Sequence, residues 1–324
     1  MSMFTSYRLR RARPSASQPQ EIAPNVYYIE VGTGIMRSNV YFVRSGSSWV
    51  LIDTGTAKCD HEIQQAAESL FGVNTRPSAI LLTHNHPDHA GSAPALTRRW
   101  NCLVYMHPEE LPLITMDASN YLTTVKKYAN PLDTWVLLPL LRMMPKRARE
   151  SMLPESSYKQ LVRTFDPGTG VPGLPDWKWI HTPGHTAGHV SFFRPGDRVL
   201  ITGDAVVNVQ LNSLWSFLLW GFGRNEQRLS GPPWYTTWSW RAAKTSVASL
   251  ARLEPNVLAC GHGLPISGSS TAPTLRTFAA HFNHLQTAGK KSDAKIRSTP
   301  YAQSARRWLT RYCHLVRSSD RVAP

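Results

Sequence analysis

The chain has 324 residues, a formal net charge of +15 and an apolar fraction of 42% that includes 11 Trp. It is long enough to bury a sizeable core, and its mean hydropathy of −0.29 excludes a polytopic membrane protein. The charge does not mark the whole surface as basic: residues 1–20 carry +4 with no acid, residues 289–324 carry +7, and the stretch between them carries only +4.

This distribution sets three segments. Residues 1–20 read as a disordered basic tail, 21–288 as one catalytic domain, and 289–324 as a basic C-terminal extension. Short β-type runs follow the tail: Val26–Val31, Val40–Val43 and Trp49–Ile52. The last two are joined by the turn residues Ser45-Gly46-Ser47-Ser48 and end in Asp53-Thr54-Gly55. Asp60 is placed to cap a helix in which Ile63, Ala66, Ala67 and Leu70 recur at helical spacing. A buried strand over Ala79–Leu82, a His-rich loop, a helix to about Trp100 and a strand over Leu103–Met106 continue the alternation of an α/β core. Residues 108–165, rich in Pro, Leu and Met, predict a helical insertion packed on that core. Strands return at Trp177–Ile180, Val190–Phe193 and Val199–Ile201. After an irregular Trp- and Gly-rich region over 206–237 come a helix over Ser239–Leu253, a strand over Val257–Ala259 and a last helix over Ala272–Gln286.

Cys59, Cys102, Cys260 and Cys313 form no CxxC pair, which suits a reducing cytosol. The N-terminus lacks the apolar stretch of a secretory signal, so the expected location is cytoplasmic, with an organellar transit peptide as the lesser alternative. Trp135–Met144 is too short to span a bilayer, and Val206–Phe222 is broken by Asn208, Gln210, Asn212 and Ser213; no membrane span is expected.

The chemistry is concentrated at the ends of apolar runs. Leu81-Leu82 leads into Thr83-His84-Asn85-His86-Pro87-Asp88-His89, four potential metal ligands in six positions. His84 and His86 alternate, so both can face one side of an extended backbone. Asp88 and His89 follow a proline that turns the chain toward a second point. Imidazole with carboxylate is a donor set suited to zinc. His185 in Pro183-Gly184-His185-Thr186, Asp204 in Gly203-Asp204 and His262 in Gly261-His262-Gly263 each follow an apolar strand and adjoin a glycine. Together they make a donor set large enough for two metals.

The HxHxDH run, the PGHT histidine, the GD aspartate and the GHG histidine, in this order after an early Asp-Thr-Gly turn, resemble the metallo-β-lactamase superfamily, nearest in flavour to its glyoxalase II-like and lactonase-like members. The resemblance runs from about residue 25 to 268. It implies an α/β fold, a four-layer αββα sandwich carrying the helical insertion, with metals at one edge. It implies two zinc ions per chain, with iron or manganese as alternatives: His84, His86 and His185 on one, Asp88, His89 and His262 on the other, and Asp204 bridging. Asp53 would be a carboxylate that orients the ligand loop.

What the resemblance then implies is a binuclear metallo-hydrolase that attacks a carbonyl with a metal-bridging hydroxide, with Asp88 moving a proton to the leaving group. The substrate would be a small molecule: lactone, thioester, ester or β-lactam. The apolar runs 131–144 and 214–220 favour an apolar acyl group if they form a lid, and are ordinary core if they do not. Two alternatives stay open. One is a metal-dependent phosphodiesterase or nuclease, disfavoured because the basic residues sit at the ends. The other is an iron-dependent oxidoreductase resembling the persulfide dioxygenases. The oligomeric state is left open.

Overall fold

The structure, a computed structural model, describes residues 18–117, 120–145, 156–166, 168–211 and 227–282. The chain divides into two compact units, Met1–Asn283 and His284–Pro324, and every described residue belongs to the first. Most of the basic tail, the C-terminal extension and the 214–220 run lie outside the described residues.

Among the described residues, twelve strands form two sheets. The first runs in spatial order β1 (Gln20–Ala23), β2 (Val26–Val31), β3 (Ser38–Ser45), β4 (Ser48–Ile52), β5 (Ala79–Leu81), β6 (Val104–Met106) and β7 (Val162–Thr164). Its first four strands are antiparallel, whereas β4 to β7 are parallel. The second sheet holds β8 (Lys178–His181), β9 (Val190–Arg194), β10 (Val199–Gly203), β11 (Val257–Cys260) and β12 (Ile266–Ser267), with β10 and β11 parallel.

Side chains alternate across each strand, and on β3 both alternating sets are apolar and buried, so the first sheet is covered on both faces there. On β3, Val40 and Phe42 join an outer core with Ile63, Ala66 and Ala67 of α1 (Asp60–Phe71) and Leu96 and Trp100 of α3 (Ala93–Trp100). The alternate residues Tyr41 and Val43 are also fully buried. The second sheet repeats the arrangement: Leu200 and Leu258 pack against Ala243, Val247 and Leu250 of α8 (Trp240–Ala251) and Leu275 of α9 (Thr271–His281). Between the sheets the Phe165 ring, just beyond β7, stacks on Trp179 of β8 at 5.4 Å and meets Phe192 of β9 edge-on at 5.8 Å. The result is the expected four-layer αββα sandwich. Burying each such side chain contributes about 1.5–3 kcal/mol, so Phe192→Ala is a change this interface would not absorb.

Between β6 and β7 the chain forms α4 (Leu111–Thr115), α5 (Tyr121–Tyr128), a π-helical turn (Asp133–Leu137) continuing directly into α6 (Leu138–Met143), and α7 (Ser156–Lys159). This is the 108–165 region, and it ends in a strand, β7, that its composition did not suggest. Two expectations shift locally. Asp60 is the first residue of α1, not its cap; Cys59 holds that position with no side-chain hydrogen bond, and Asp60 pairs with Arg99 at 3.2 Å. Ser239, expected inside the next helix, is its true cap, its Oγ accepting the Ala242 N–H.

Candidate metal centre

In parallel strands the C-terminal ends lie at one edge, and here they deliver the polar residues together. Asp53 follows β4, the His84–His89 segment follows β5 and enters the short helix α2 (Pro87–Ala90), Glu110 lies beyond β6, Asp204 follows β10, and His262 lies beyond β11. The two sheets are tied together at that edge by backbone and side-chain bonds: Val190 N–H to Thr83 O at 2.9 Å, Asn39 N–H to Gly261 O at 2.8 Å, and Asn39 Nδ2 to Cys260 O at 2.9 Å.

All seven sequence-predicted donors converge on this edge. His84, His86 and His185 offer ligand atoms within 4.8 Å of one another, and so do Asp88, His89 and His262. His86 Nδ1 faces His185 Nε2 at 2.8 Å, and His89 Nε2 faces His262 Nε2 at 3.4 Å. Asp204 stands between the trios: its Oδ2 is 3.3 Å from both His185 Nε2 and His262 Nε2, and its Oδ1 is 3.3 Å from His89 Nε2. Asp88 Oδ2 lies 3.3 Å from His262 Nε2.

This packing needs a cation. His84 Nε2 is buried with no hydrogen-bond partner, and a bare buried acceptor costs about 1–3 kcal/mol, while Asp204 Oδ1 faces His89 Nε2 at 3.3 Å. Imidazole nitrogens aimed at each other can pair only when one of the two carries the proton. A divalent ion among them would satisfy all of these atoms at once, so the residues fit the group.

The electrostatics of the two trios differ. Burial, with the neighbouring imidazoles, holds His84 and His185 well below the usual histidine range, so both are neutral donors. Burial pushes His89 and His262 the same way, but Asp204 and Asp88 outweigh it; His89 is held well above its ordinary value and His262 is raised to about 10. Burial alone would raise Asp88 and Asp204, yet the His89 and His262 rings keep both ionised well below the carboxylate range.

Supporting residues fix the donors. Asp53, buried in left-handed backbone at φ +61°, accepts the Thr83 N–H at 2.8 Å and places Oδ2 2.9 Å from His89 Nδ1, fixing that ring. His262 Nδ1 is held 2.6 Å from Arg37 O. At Gly261 a Cβ would collide with Asp204 Oδ1 and the His89 ring, which explains the small residue beside His262.

Two residues escaped the sequence reading. Glu110 is buried and its carboxylate accepts three bonds: from Asn85 N–H at 3.0 Å, Thr186 Oγ1 at 2.6 Å and Gly188 N–H at 2.9 Å. It therefore ties the loop of His84 and His86 to the loop of His185. His189, fully buried and held neutral by burial at a pKa of about 3, accepts the Asp204 N–H on Nε2 at 3.0 Å.

The metallo-beta-lactamase superfamily profile matches residues 33–262. The chain is 36% identical over 259 residues to the probable metallo-hydrolase YflN of Bacillus subtilis (strain 168), covering 78% of this chain and 91% of that protein. A solved metallo-beta-lactamase family protein of Thermus thermophilus superposes with a TM-score of 0.55 at 19% identity, over 83% of this chain and 81% of its own. A beta-lactamase domain protein from Burkholderia ambifaria gives 0.53 at 20% identity, over 86% and 79%. The two structures support the fold.

Proposed function

The chain belongs to the metallo-beta-lactamase superfamily, and from that premise we propose a binuclear zinc hydrolase that opens the carbonyl of a lactone, thioester, ester or β-lactam. The observation that carries this reading is the pair of donor trios with Asp204 between them. His84, His86 and His185 would hold one ion, Asp88, His89 and His262 the other, and Asp204 would touch both. Two divalent ions supply Lewis acidity, lowering the pKa of water and drawing electron density from a carbonyl oxygen.

The chain's own residues do the rest. Asp53 and the Arg37 carbonyl keep the His89 and His262 rings oriented. Asp88 is the proton carrier we assign: its side chain is 17% exposed against 4% for Asp204, so it alone of these two carboxylates is reachable from solvent. It takes a proton from the attacking water and returns it to the departing oxygen, sulfur or nitrogen. An apolar acyl group is the reading we keep, because the 131–143 helix is rich in Leu, Val, Trp and Met. Cys59, Cys102 and Cys260 are free and buried, which supports the reducing cytosol as the compartment.

The test is a panel of lactones, thioesters, esters, cephalosporins and phosphodiesters assayed on zinc-loaded protein, with metal content measured in parallel. About two zinc ions per chain and turnover of a carbonyl substrate are expected. Turnover of phosphodiesters alone, or full activity with a single iron, would overturn the proposal.

A further inference from the structure

A surface helix usually buries one apolar stripe and turns polar side chains to water. The helical run formed by Asp133–Leu137 and α6 departs from that rule. Its inward residues Leu138 and Leu141 pack on Val125, with Met116, Leu122, Ala129 and Met144 around them. Its outward residues are also apolar: Leu132, Trp135, Val136, Leu140 and Met143, with Trp135 80% and Met143 84% exposed. Their spacing of i, i+3, i+4, i+8 and i+11 places them on one broad stripe opposite Leu138 and Leu141.

Basic side chains outnumber acids beside this stripe. Lys126 and Lys127 of α5 and Arg142 of α6 are exposed. Asp133 is the single acid between positions 120 and 149, and it is engaged elsewhere, accepting the Asn130 N–H at 3.2 Å on the side of His86. A second copy of the chain is a poor occupant, since pairing the stripe with itself would oppose like charges on a molecule already at +15. A bilayer with anionic headgroups answers both features: the apolar side chains enter the interface, the Lys and Arg side chains meet the phosphates, and Trp favours that boundary. A helix over 131–143 is about 20 Å long, short of the roughly 30 Å hydrocarbon core, and no helix among the described residues is long and apolar enough to cross a membrane.

We propose that the 131–143 helix is a docking element for an anionic lipid surface, lying in the plane of the interface with its outward apolar stripe turned toward the bilayer. This goes beyond the hydrolytic reading and stands independently of which carbonyl is cleaved.

The experiment is co-sedimentation of the full chain with vesicles of phosphatidylcholine alone and of phosphatidylcholine mixed with phosphatidylglycerol. It is run at about 0.1 M and about 0.5 M salt, the higher concentration screening the charge of the basic ends. Wild type is compared with Trp135→Ser/Met143→Ser, two exposed changes that leave the core untouched and whose folding is checked by thermal melting. The wild type should bind the anionic vesicles, retain part of that binding at high salt, and lose roughly tenfold or more in the variant, as expected for withdrawing two large apolar side chains. Absence of wild-type binding overturns the proposal, as does equal binding by the variant, which would assign the interaction to the basic ends. A wild-type dimer that the variant converts to a monomer also overturns it, in favour of a second copy.

Discussion

The carboxylate of Glu110 accepts the backbone N–H of Asn85, the residue between His84 and His86, while also holding Thr186 and Gly188 beside His185. One buried acid thus sets the separation of the two loops that present the first trio, and its three described bonds all go to those loops. Glu110→Gln replaces one acceptor oxygen by an NH2 that faces donors. It should weaken the ion assigned to His84, His86 and His185 by about 10- to 100-fold, the usual cost of a lost supporting bond. The ion assigned to Asp88, His89 and His262 should keep its affinity. A two-step titration against a competing chelator reads this directly. Equal weakening of both steps, with an unchanged melting temperature, would show that Glu110 does not set the first trio.

The convergence of the seven candidate donors was legible because their segments follow apolar runs that a parallel or buried strand requires. Glu110 was not. It sits in His107-Pro108-Glu109-Glu110-Leu111-Pro112, which reads as an exposed loop, and nothing local distinguishes it from Glu109. Its partners lie 25 to 78 residues away, so its burial exists only in the fold. The strand β7 was hidden for a related reason: Val162-Arg163-Thr164 is too short to show an alternation, and it extends only because β6 offers it an edge. The 131–144 run, left between lid and core, divides by face, with Leu138 and Leu141 packed and Trp135 and Met143 exposed.

Removing metal should release a clear stability difference. In the metal-free protein His89 and His262 are held protonated by Asp204 and Asp88 at neutral pH, and they must shed those protons to become ligands. Zinc uptake at the second trio should therefore release protons, and its affinity should fall as pH drops, while the neutral His84 and His185 of the first trio release none. Calorimetry in two buffers of different ionisation enthalpy measures the release. Chelation should abolish activity and lower the melting temperature by on the order of ten degrees. Unchanged activity and melting in the presence of chelator would remove the metal from the account altogether.

A second histidine pair gives the fold a separate pH dependence. The His107 and His181 rings stack at 4.0 Å, and burial, with their mutual repulsion adding at His107, lowers them to about 2 and about 4. Both are neutral in the folded chain but take up a proton near pH 6.5 when unfolded. The unfolded state therefore binds more protons below that value, so their contribution is complete above about pH 6.5 and declines as pH falls. At about pH 5 each should cost on the order of 1–2 kcal/mol. His107→Phe/His181→Phe, which preserves a stacked aromatic pair, should flatten the acid side of the melting profile. An identical slope in the variant would place the acid sensitivity elsewhere.

The last prediction separates ligand from proton carrier at Asp88. Its Oδ2 lies 3.3 Å from His262 Nε2 and 3.8 Å from His89 Nε2, inside the second trio, while its side chain still reaches solvent. Asp88→Asn is nearly isosteric and should keep the fold. It should weaken the second ion, because a neutral amide is a poorer donor than a carboxylate, and slow turnover by roughly the 10²- to 10⁴-fold typical of a lost general acid–base. The two effects part under saturating zinc, which restores occupancy but not the proton route. The loss should then persist, and be largest for a substrate with a poor leaving group, such as an unactivated lactone, because that group must be protonated as it departs. A nitrophenyl ester or activated thioester, whose leaving group departs unprotonated, should lose far less. The measurement is kcat for one good and one poor leaving group, in wild type and variant, at saturating zinc. If added zinc returns both rates to wild type, Asp88 serves only as a ligand and the proton travels by another group.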